Sequence, residues 1–363
     1  APVRVYHLPA AVLVAAPTAP ASRGLVGAVG KKFLKVLVFP LIEPGIGAVS
    51  DSFAQLWEQK HRPYRVRGFG PDDYSVEAAP EIGGDEWKRL GAGRALLMVH
   101  GTFSRAHAAF GGLPKEFVEA LHRKYEGRVF AYDHFSLSHD PKQNVNWLLD
   151  RMPDGTTLDL DIICHSRGGL VSRLLAEKQG ELMMGGRKIR LGKIVFVGAP
   201  NAGTILADAT HLGDMIDTYT NLLNFLPDNG VTEILSGVVT VAKMLAVGAA
   251  KGLPGLQSMR PGGDFGNWLN TGPKGETRYF ALASNFTPGE PGLRQLAMDR
   301  LMDHVFKAAN DLVVPTDGVF AENGSKCFPI EERVVFTGSD AVAHTGFFAS
   351  RGAREKIMEW LNA

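Results

Sequence analysis

The chain contains little cysteine and almost no excess of charge of either sign. Its 363 residues include two cysteines, Cys164 and Cys327, too few and too differently placed for a disulfide framework or a zinc site. Lys and Arg number 39 against 38 Asp and Glu, so the formal net charge of +1 provides no field that attracts nucleic acid. The 45% of hydrophobic residues is typical of a globular protein stabilised by its core. We therefore expect neither a metal site nor a nucleic-acid partner.

The chain also lacks a long uninterrupted apolar run. Its two longest apolar stretches, 33–49 and 231–250, are broken by prolines and by charged residues, so we predict no transmembrane segment. The alanine-rich residues 10–16 lack the charged n-region and the cleavage site of a secretory signal. We expect a cytoplasmic protein, with secretion as the alternative if a signal peptide has been removed. The sequence leaves contact with a membrane surface and the oligomeric state open.

Two regions differ in their pattern. Residues 1–90 are punctuated by proline and glycine, with a helix predicted near 49–60 and a short strand at 64–66. Because the apolar residues 33–39 need burial, we predict an N-terminal extension packed on a main domain at 91–363. That domain alternates predicted strands with helices, which is typical of an α/β fold with a mostly parallel sheet covered on both faces. The predicted strands are 95–99, 128–132, 158–164, 193–197, 279–283 and 333–336. The predicted helices among them span 114–125 and 353–361.

Residues 158–175 predict a strand, a sharp turn and a helix. An apolar run ends at Cys164, and helical spacing of apolar residues resumes at Leu170. Between them lies the segment His165-Ser166-Arg167-Gly168-Gly169. A serine at such a turn projects its hydroxyl above the end of the sheet, and glycines let strand and helix approach closely. The alternative is an ordinary buried strand and helix joined by a Ser-Gly turn.

This segment resembles the G-x-S-x-G nucleophile elbow of the α/β-hydrolase superfamily, with Cys164 in place of the first glycine. The similarity extends over about residues 94–361 and is to bacterial lipase- and esterase-like members whose elbow contains HSRGG or HSMGG. The resemblance implies an α/β-hydrolase fold and transfer of an acyl group to water through an acyl-serine intermediate. It implies no metal or organic cofactor, and a small-molecule or lipid-like ester as substrate.

The resemblance also suggests a catalytic triad. In the superfamily the chain order is Ser, then Asp or Glu, then His. Asn310-Asp311-Leu312-Val313-Val314-Pro315 looks like the loop that carries the acid as N-D-x-x-V-P, and Ala343-His344-Thr345-Gly346 resembles the last catalytic loop. We predict Ser166 as nucleophile, Asp311 as acid and His344 as base. Alone, Asp311 would be interpreted as a cap and His344 as a surface histidine, and Asp317 and Asp340 are rival acids.

An acyl-transfer site also needs backbone N–H groups that stabilise the oxyanion of the tetrahedral intermediate. One predicted donor is Arg167, the residue after the nucleophile. The loop His100-Gly101-Thr102-Phe103 resembles the lipase H-G-x segment, so Thr102 is the second predicted donor and Phe103 the alternate. We expect His100 to hydrogen-bond this loop rather than react.

The interval between Ser166 and Asp311 is longer than two βα units, which need roughly 60 residues. We place the excess at 205–270 and predict a helical cap or lid there, with helices that merely extend the core as the alternative. An amphipathic helix within 231–245 supports this interpretation. An apolar lining would favour medium or long acyl chains. The predicted substrate-binding residues are Phe103, Leu222, Leu223, Phe225, Val238 and Val239.

The leading hypothesis is a serine hydrolase that cleaves carboxylic esters. A thioesterase or a peptidase or amidase of the same fold is the first alternative, because the same triad serves all of them. A non-catalytic interaction module, with the extension and cap as its partner surface, is the second. Reaction with a serine-directed probe separates the enzymes from the module.

Overall fold

The structure is a computed structural model that describes residues 4–9, 33–38, 50–208, 210–222, 234–238, 240–241, 253–271, 275–286, 308–321 and 329–363. The predictions for Leu223, Phe225, Val239 and Cys327 lie outside these residues.

A seven-stranded sheet forms the centre of the molecule. Its strands are β3 Arg65–Gly68, β4 Arg94–Val99, β5 Val129–Asp133, β6 Thr157–His165, β7 Lys188–Val197, β8 Arg278–Ser284 and β9 Ile330–Phe336. They lie in the order β3-β5-β4-β6-β7-β8-β9, where β3 pairs antiparallel with β5 and every other pair is parallel. Nearly every residue of β4, β5 and β6 is buried, as expected for parallel strands covered on both faces.

Helices pack on both faces of this sheet. One buried cluster, which includes Leu90, Leu148 and Leu174 of three helices, packs on one face. A second cluster, which includes Leu121 and Trp360 of two other helices, packs on the other face. The prediction of a mostly parallel sheet between two helical layers is therefore confirmed. The helices are α1 Ser50–His61, α2 Gly84–Gly91, α3 Ala106–Ala109, α4 Lys115–Lys124, α5 Pro141–Arg151, α6 Gly168–Glu177, α7 Leu212–Leu222, α8 Pro254–Gln257, α9 Asp264–Leu269 and α10 Arg351–Asn362.

The strand β6 lies at the middle of the sheet and leads directly into α6 through the turn at Ser166. Right-handed crossovers are the rule for the parallel strands of such sheets. An antiparallel strand at one edge, parallel strands on either side of β6 and a serine at the β6–α6 turn define the α/β-hydrolase fold. The fold implied by the resemblance is thus the observed one.

The region before residue 91 contributes to this sheet. The strand β3 is its antiparallel edge, and Trp87 and Leu90 of α2 lie in the core. Residues 4–9 (β1) and 33–38 (β2) form a separate antiparallel pair. The division at residue 90 stays a prediction, but the part from β3 to α2 is integral to the main sheet rather than packed outside it.

The long connection between β7 and β8 is helical where the structure describes it. It contains α7, helical residues 234–238 and 240–241, then α8 and α9. Within the described ranges, no helix has the length and apolar character needed to cross a bilayer.

Candidate active site

Ser166 lies in the tight turn between β6 and α6, with a φ of 52°. Non-glycine residues rarely adopt this left-handed conformation, and it costs about 1–3 kcal/mol unless the surroundings hold it. Here the Ser166 amide donates to the Val197 carbonyl at 3.0 Å, which ties the turn to the end of β7. A Cβ on Gly101 would stand 2.5 Å from Ser166 Cβ, so the neighbouring loop can approach the serine only because glycine occupies that position. The substitution of Cys164 for the usual glycine leaves the turn intact.

Asp311 and His344 meet beside this turn. His344 Nδ1 lies 2.8 Å from Asp311 Oδ2, and both side chains are 1% exposed. Asp311 Oδ1 accepts hydrogen bonds from the amides of Val313 and Val314, so the carboxylate is fixed within its own loop. Because a carboxylate only accepts hydrogen bonds, Nδ1 must carry the proton toward Asp311. The lone pair of a neutral His344 ring is then on Nε2.

His165 holds the histidine loop in place, a role that the sequence did not suggest. Its Nε2 donates to the His344 carbonyl at 2.9 Å, and the two rings lie 4.7 Å apart. Burial, followed by the nearby His344 ring, lowers the pKa of His165 to about 3, so this ring stays neutral. A histidine next to Ser166 thereby positions the backbone of His344.

Ser166 and His344 line the same small cavity. Its volume is about 20 Å³, enough for about one water molecule. Ser166 Oγ and His344 Nε2 are both buried and have no hydrogen-bond partner among the described residues. A buried hydroxyl and a buried ring nitrogen left unpaired are costly to the fold and are characteristic of reacting groups. The other lining residues are Thr102, Ser104, Ala108, Ala109, His165, Tyr219, Ile234 and Thr345.

Two of those lining residues come from the connection between β7 and β8. Tyr219 of α7 packs edge-on against Phe103, with ring centroids 4.8 Å apart. Burial raises the pKa of its hydroxyl, Asp311 adds to this effect, and an interaction with Ser166 opposes it. Tyr219 lines the same cavity as Ser166. Tyr219 and Ile234 were not among the predicted site residues, although Ile234 lies on the apolar face of the predicted cap helix.

The backbone amides of Thr102 and Arg167, the two predicted oxyanion donors, differ in their hydrogen bonding from that of Phe103, the predicted alternate. Among the described residues, neither the Thr102 amide nor the Arg167 amide makes a backbone hydrogen bond. The Phe103 amide, by contrast, donates to Ser136 Oγ at 3.2 Å. The Phe103 amide is therefore engaged in this arrangement, and the role of Thr102 and Arg167 as oxyanion donors stays a prediction.

Glu58 of α1 organises the loop that holds Phe103. Its carboxylate accepts hydrogen bonds from the amides of Ser136, Leu137 and Ser138 and from the Ser138 hydroxyl, at 2.6–3.0 Å. Glu58 is 0% exposed. Since Ser136 in turn accepts from Phe103, Glu58 fixes the shape of the loop that carries Thr102. Glu58 lies within residues 1–90, the region predicted from the sequence as an N-terminal extension.

Two further histidines are buried beneath this loop. His100 and His134 stack with ring centroids 4.1 Å apart, and the His134 amide donates to His100 Nε2. His100 Nδ1 lies 2.8 Å from the Gly101 carbonyl, so His100 hydrogen-bonds its loop as predicted. Burial lowers the pKa of His100 to about 3 and holds the pKa of His134 well below its usual value. Both rings are neutral near pH 7.

The three buried neutral histidines should make the fold sensitive to acid. Their folded pKa values lie below the usual 6.5, so the unfolded chain takes up more protons as pH falls below about 6.5, and stability is lost in that direction. Each proton adds a slope of about 1.4 kcal/mol per pH unit. We expect the free energy of unfolding, measured with urea, to fall below pH 6 by at most about 4 kcal/mol per pH unit, because the raised pKa of buried Asp133 acts in the opposite direction.

The matched variants for this test are His134→Gln and His61→Gln, the second at an exposed position on α1. The first should reduce the slope by about one third, and the second should leave it unchanged. A free energy of unfolding that is constant from pH 8 to pH 5 would contradict the assignment of these rings as neutral.

The remaining predicted residues lie in the core rather than on the cavity wall. Phe103, Leu222 and Val238 are all 0% exposed and belong to the main buried cluster. Their role in substrate binding stays a prediction. Cys164 is a buried free thiol whose pKa is raised by burial to about 12, so it is inert at neutral pH. Within the described ranges, no group of three or more His, Cys, Asp or Glu is arranged to hold a metal ion.

Several solved structures resemble this chain. The mature lipase BlEst2 of Bacillus licheniformis is 15% identical, with a TM-score of 0.44, over 74% of this chain and 91% of that one. Lipase 1 of Pelosinus fermentans is 14% identical, with a TM-score of 0.45, over 73% and 98%. The Staphylococcus hyicus lipase is 12% identical, with a TM-score of 0.44, over 74% and 93%. Comparison with curated protein sequences finds no match.

A family model described as a domain of unknown function, DUF7379, matches residues 61–362. The match begins at His61, the last residue of α1, and extends through β3, the turn at Ser166 and both loops that carry Asp311 and His344 to the end of α10. It covers well over half of the sequence. The chain therefore belongs to the DUF7379 family.

Proposed function

We propose that the protein is a serine hydrolase of carboxylic esters, with Ser166 as nucleophile, His344 as general base and Asp311 as the acid that orients it. One observation carries the proposal. Ser166 Oγ and His344 Nε2 are buried and have no hydrogen-bond partner among the described residues, and both side chains line the same cavity. The other ring nitrogen of His344, Nδ1, is hydrogen-bonded to Asp311 Oδ2. This is the arrangement that a nucleophile, its base and the orienting group need.

In the proposed reaction, Ser166 Oγ attacks the carbonyl carbon of the ester and His344 Nε2 takes the hydroxyl proton. The negative charge that develops on the carbonyl oxygen is stabilised by the amides of Thr102 and Arg167. His344 then protonates the departing alcohol, which leaves the acyl group on Ser166. Water, deprotonated by the same Nε2, attacks the acyl carbon; the bond to Ser166 Oγ then breaks, His344 returns the proton to Oγ, and the carboxylic acid is released. Asp311 stabilises the imidazolium in both halves of the reaction.

An ester cannot occupy the cavity while Tyr219 and Ile234 stand above Ser166, because its volume of about 20 Å³ holds about one water. We infer that the segment carrying these residues acts as a cap that must move. Two contacts keep it in place. Arg62 Nη2 donates to Ser236 Oγ at 2.9 Å, and Gly237 packs against Phe103 so closely that a Cβ would stand 2.6 Å from its ring.

Loss of the contact between Arg62 and Ser236 should make Ser166 more accessible. A hydrogen bond to a charged group contributes about 1.5–3 kcal/mol, so Ser236→Ala is expected to raise the rate of Ser166 labelling by about tenfold or more. The measurement is the second-order rate of fluorophosphonate adduct formation. Thr240→Ala is the matched control, because the Thr240 hydroxyl donates within the same segment, to the Ser236 carbonyl. Equal labelling rates in the wild-type and Ser236→Ala proteins would show that this contact does not limit access.

The function itself is tested by treating the protein with a fluorophosphonate and locating the adduct by mass spectrometry. An adduct on Ser166 supports the proposed nucleophile and its activation. Rates on matched oxygen-ester, thioester and peptide substrates then decide between an esterase and the thioesterase or peptidase alternative. Absence of any adduct, together with absence of turnover on all three substrate classes, would instead favour the non-catalytic module.

A further inference from the structure

A second cavity lies at the opposite edge of the sheet from Ser166. Its volume is about 300 Å³, at the lower end of the range for small-molecule sites. It lies near the amino ends of β4, β5 and β8, between the last residues of α4 and α10. We call this cavity the basic pit. Its lining residues are Arg94, Lys124, Tyr125, Arg128, Asp161, Gly192, Lys193, Arg278 and Leu361.

Positive charge dominates the basic pit. Five of its lining residues are cationic, and Asp161 is the one acidic residue among them. Glu126 and Glu331 pair with Arg128 and Arg278 from the rim. Five cations against these three carboxylates leave a net charge of +2 on a chain whose overall charge is +1. The lining of the basic pit, with its two paired glutamates, is therefore positive on balance.

The single acidic side chain of the lining is already engaged. Asp161 Oδ1 accepts from Arg94 Nη1 at 3.1 Å and from the Lys193 amide at 2.9 Å. Asp161 Oδ2 accepts from the Tyr125 hydroxyl at 2.8 Å. With the side chain 3% exposed, this carboxylate serves as an internal anchor for Arg94, Tyr125 and the start of the Lys193 strand segment.

Two glycines allow the arginines to lie against the backbone. A Cβ on Gly192 would stand 2.0 Å from Arg94 Nη1, and one on Gly93 would stand 2.8 Å from Arg128 Nη2. Any larger residue at either position would displace a guanidinium. Both arginines therefore pack closely against backbone that has no side chain.

The remaining cations crowd one another. Lys193 and Arg278 are directly paired in register on β7 and β8, where like charges are destabilising. Lys193 Nζ donates to the Leu361 carbonyl, and Lys124 Nζ lies 5.5 Å from the Tyr125 ring, so neither contact neutralises its charge. Burial, and then the positive charges of Lys124, Arg278 and Arg94, lower the pKa of Lys193 against the opposing effect of Asp161. An anion in the basic pit would relieve this repulsion.

We propose that the basic pit binds a compact, multiply charged oxyanion of the phosphate-ester or diphosphate class. Arginine forks and lysine ammonium groups together suit planar or tetrahedral oxyanions, and the small volume excludes long polymers. The site is separate from the proposed hydrolytic machinery and does not depend on it.

The test uses inorganic pyrophosphate as the probe, titrated calorimetrically into the full chain at constant ionic strength. We expect saturable one-to-one binding that Lys124→Glu weakens by at least about tenfold. Lys88→Glu is the matched control, since it makes the same charge change at an exposed lysine on α2 outside the basic pit, and it should change the affinity less than about twofold. Arg278→Gln gives a second, independent variant and should also weaken binding.

Three results would overturn the proposal: no saturable binding, equal losses in Lys124→Glu and Lys88→Glu, or competition between pyrophosphate and fluorophosphonate at Ser166. The second would indicate only long-range attraction of the anion. The third would place the anion in the other cavity. Failure of the hydrolase proposal would leave the calorimetric result unaffected, so the two are distinguishable.

Discussion

Replacing Ser166 with alanine is expected to lower ester hydrolysis by about 10⁶-fold, the loss seen when the nucleophile of a triad is removed. The fold should survive. Ser166 Oγ has no hydrogen-bond partner among the described residues, so its removal leaves no donor or acceptor unpaired. The left-handed backbone at this position is no more strained for alanine than for serine.

Hydrolysis of a short-chain nitrophenyl ester and thermal unfolding are the two measurements. Ser172→Ala is the matched control, because Ser172 is also a buried serine, on α6, whose hydroxyl donates to the Gly168 carbonyl at 2.8 Å. It should lower the melting temperature slightly and keep activity. Retention of full activity by Ser166→Ala would rule out Ser166 as the nucleophile.

Asp311→Asn is expected to reduce turnover by about 10⁴-fold. The structure gives the reason. The amides of Val313 and Val314 donate to Asp311 Oδ1, so the carbonyl oxygen of an asparagine would take that position and its NH₂ group would face His344 Nδ1. Nδ1 would then have to accept a hydrogen bond, which moves the ring proton to Nε2 and removes the lone pair that Ser166 needs.

Asp317→Asn and Asp340→Asn are the controls, since both rival acids are exposed and the structure gives neither a contact with His344. Both variants should keep near wild-type rates of turnover. The assignment of Asp311 would fail if Asp340→Asn proved the more damaging change.

The parts of the candidate site that the sequence indicated are all local motifs. A strand, a Ser-Gly turn and a helix form a recognisable pattern within 18 residues, and the loops around Asp311 and His344 are each a short sequence motif. Their meeting point follows from the sheet, because parallel strands end at the same edge. The contacts missed were long-range. Glu58 joins Ser136 across 78 positions, and a lone glutamate on a helix gives no hint of such a partner.

The contacts of the proposed cap were missed for a related reason. Periodicity predicted an apolar helix face near Ile234, but it cannot say which surface that face covers. The contact between Arg62 and Ser236 spans 174 positions and involves residues that are common on protein surfaces.

Helix α5 was not predicted from the sequence, although the sequence contains a signal for it. Helix α5 has a complete capping box between Asp140 and Gln143, a signal present in the sequence, but its polar composition hid the apolar face.

The position of Glu58 also determines how short the protein can be made. The family match starts at residue 61, three positions after Glu58, so a fragment cut to that boundary would lose α1 up to its last residue. Three amides and one hydroxyl of residues 136–138 would then be left without their acceptor in a buried loop. Each such loss costs about 1–3 kcal/mol, which together approaches the whole stability of a typical domain. A fragment that keeps this loop in its described shape therefore has to include Glu58, which lies before the start of the family match.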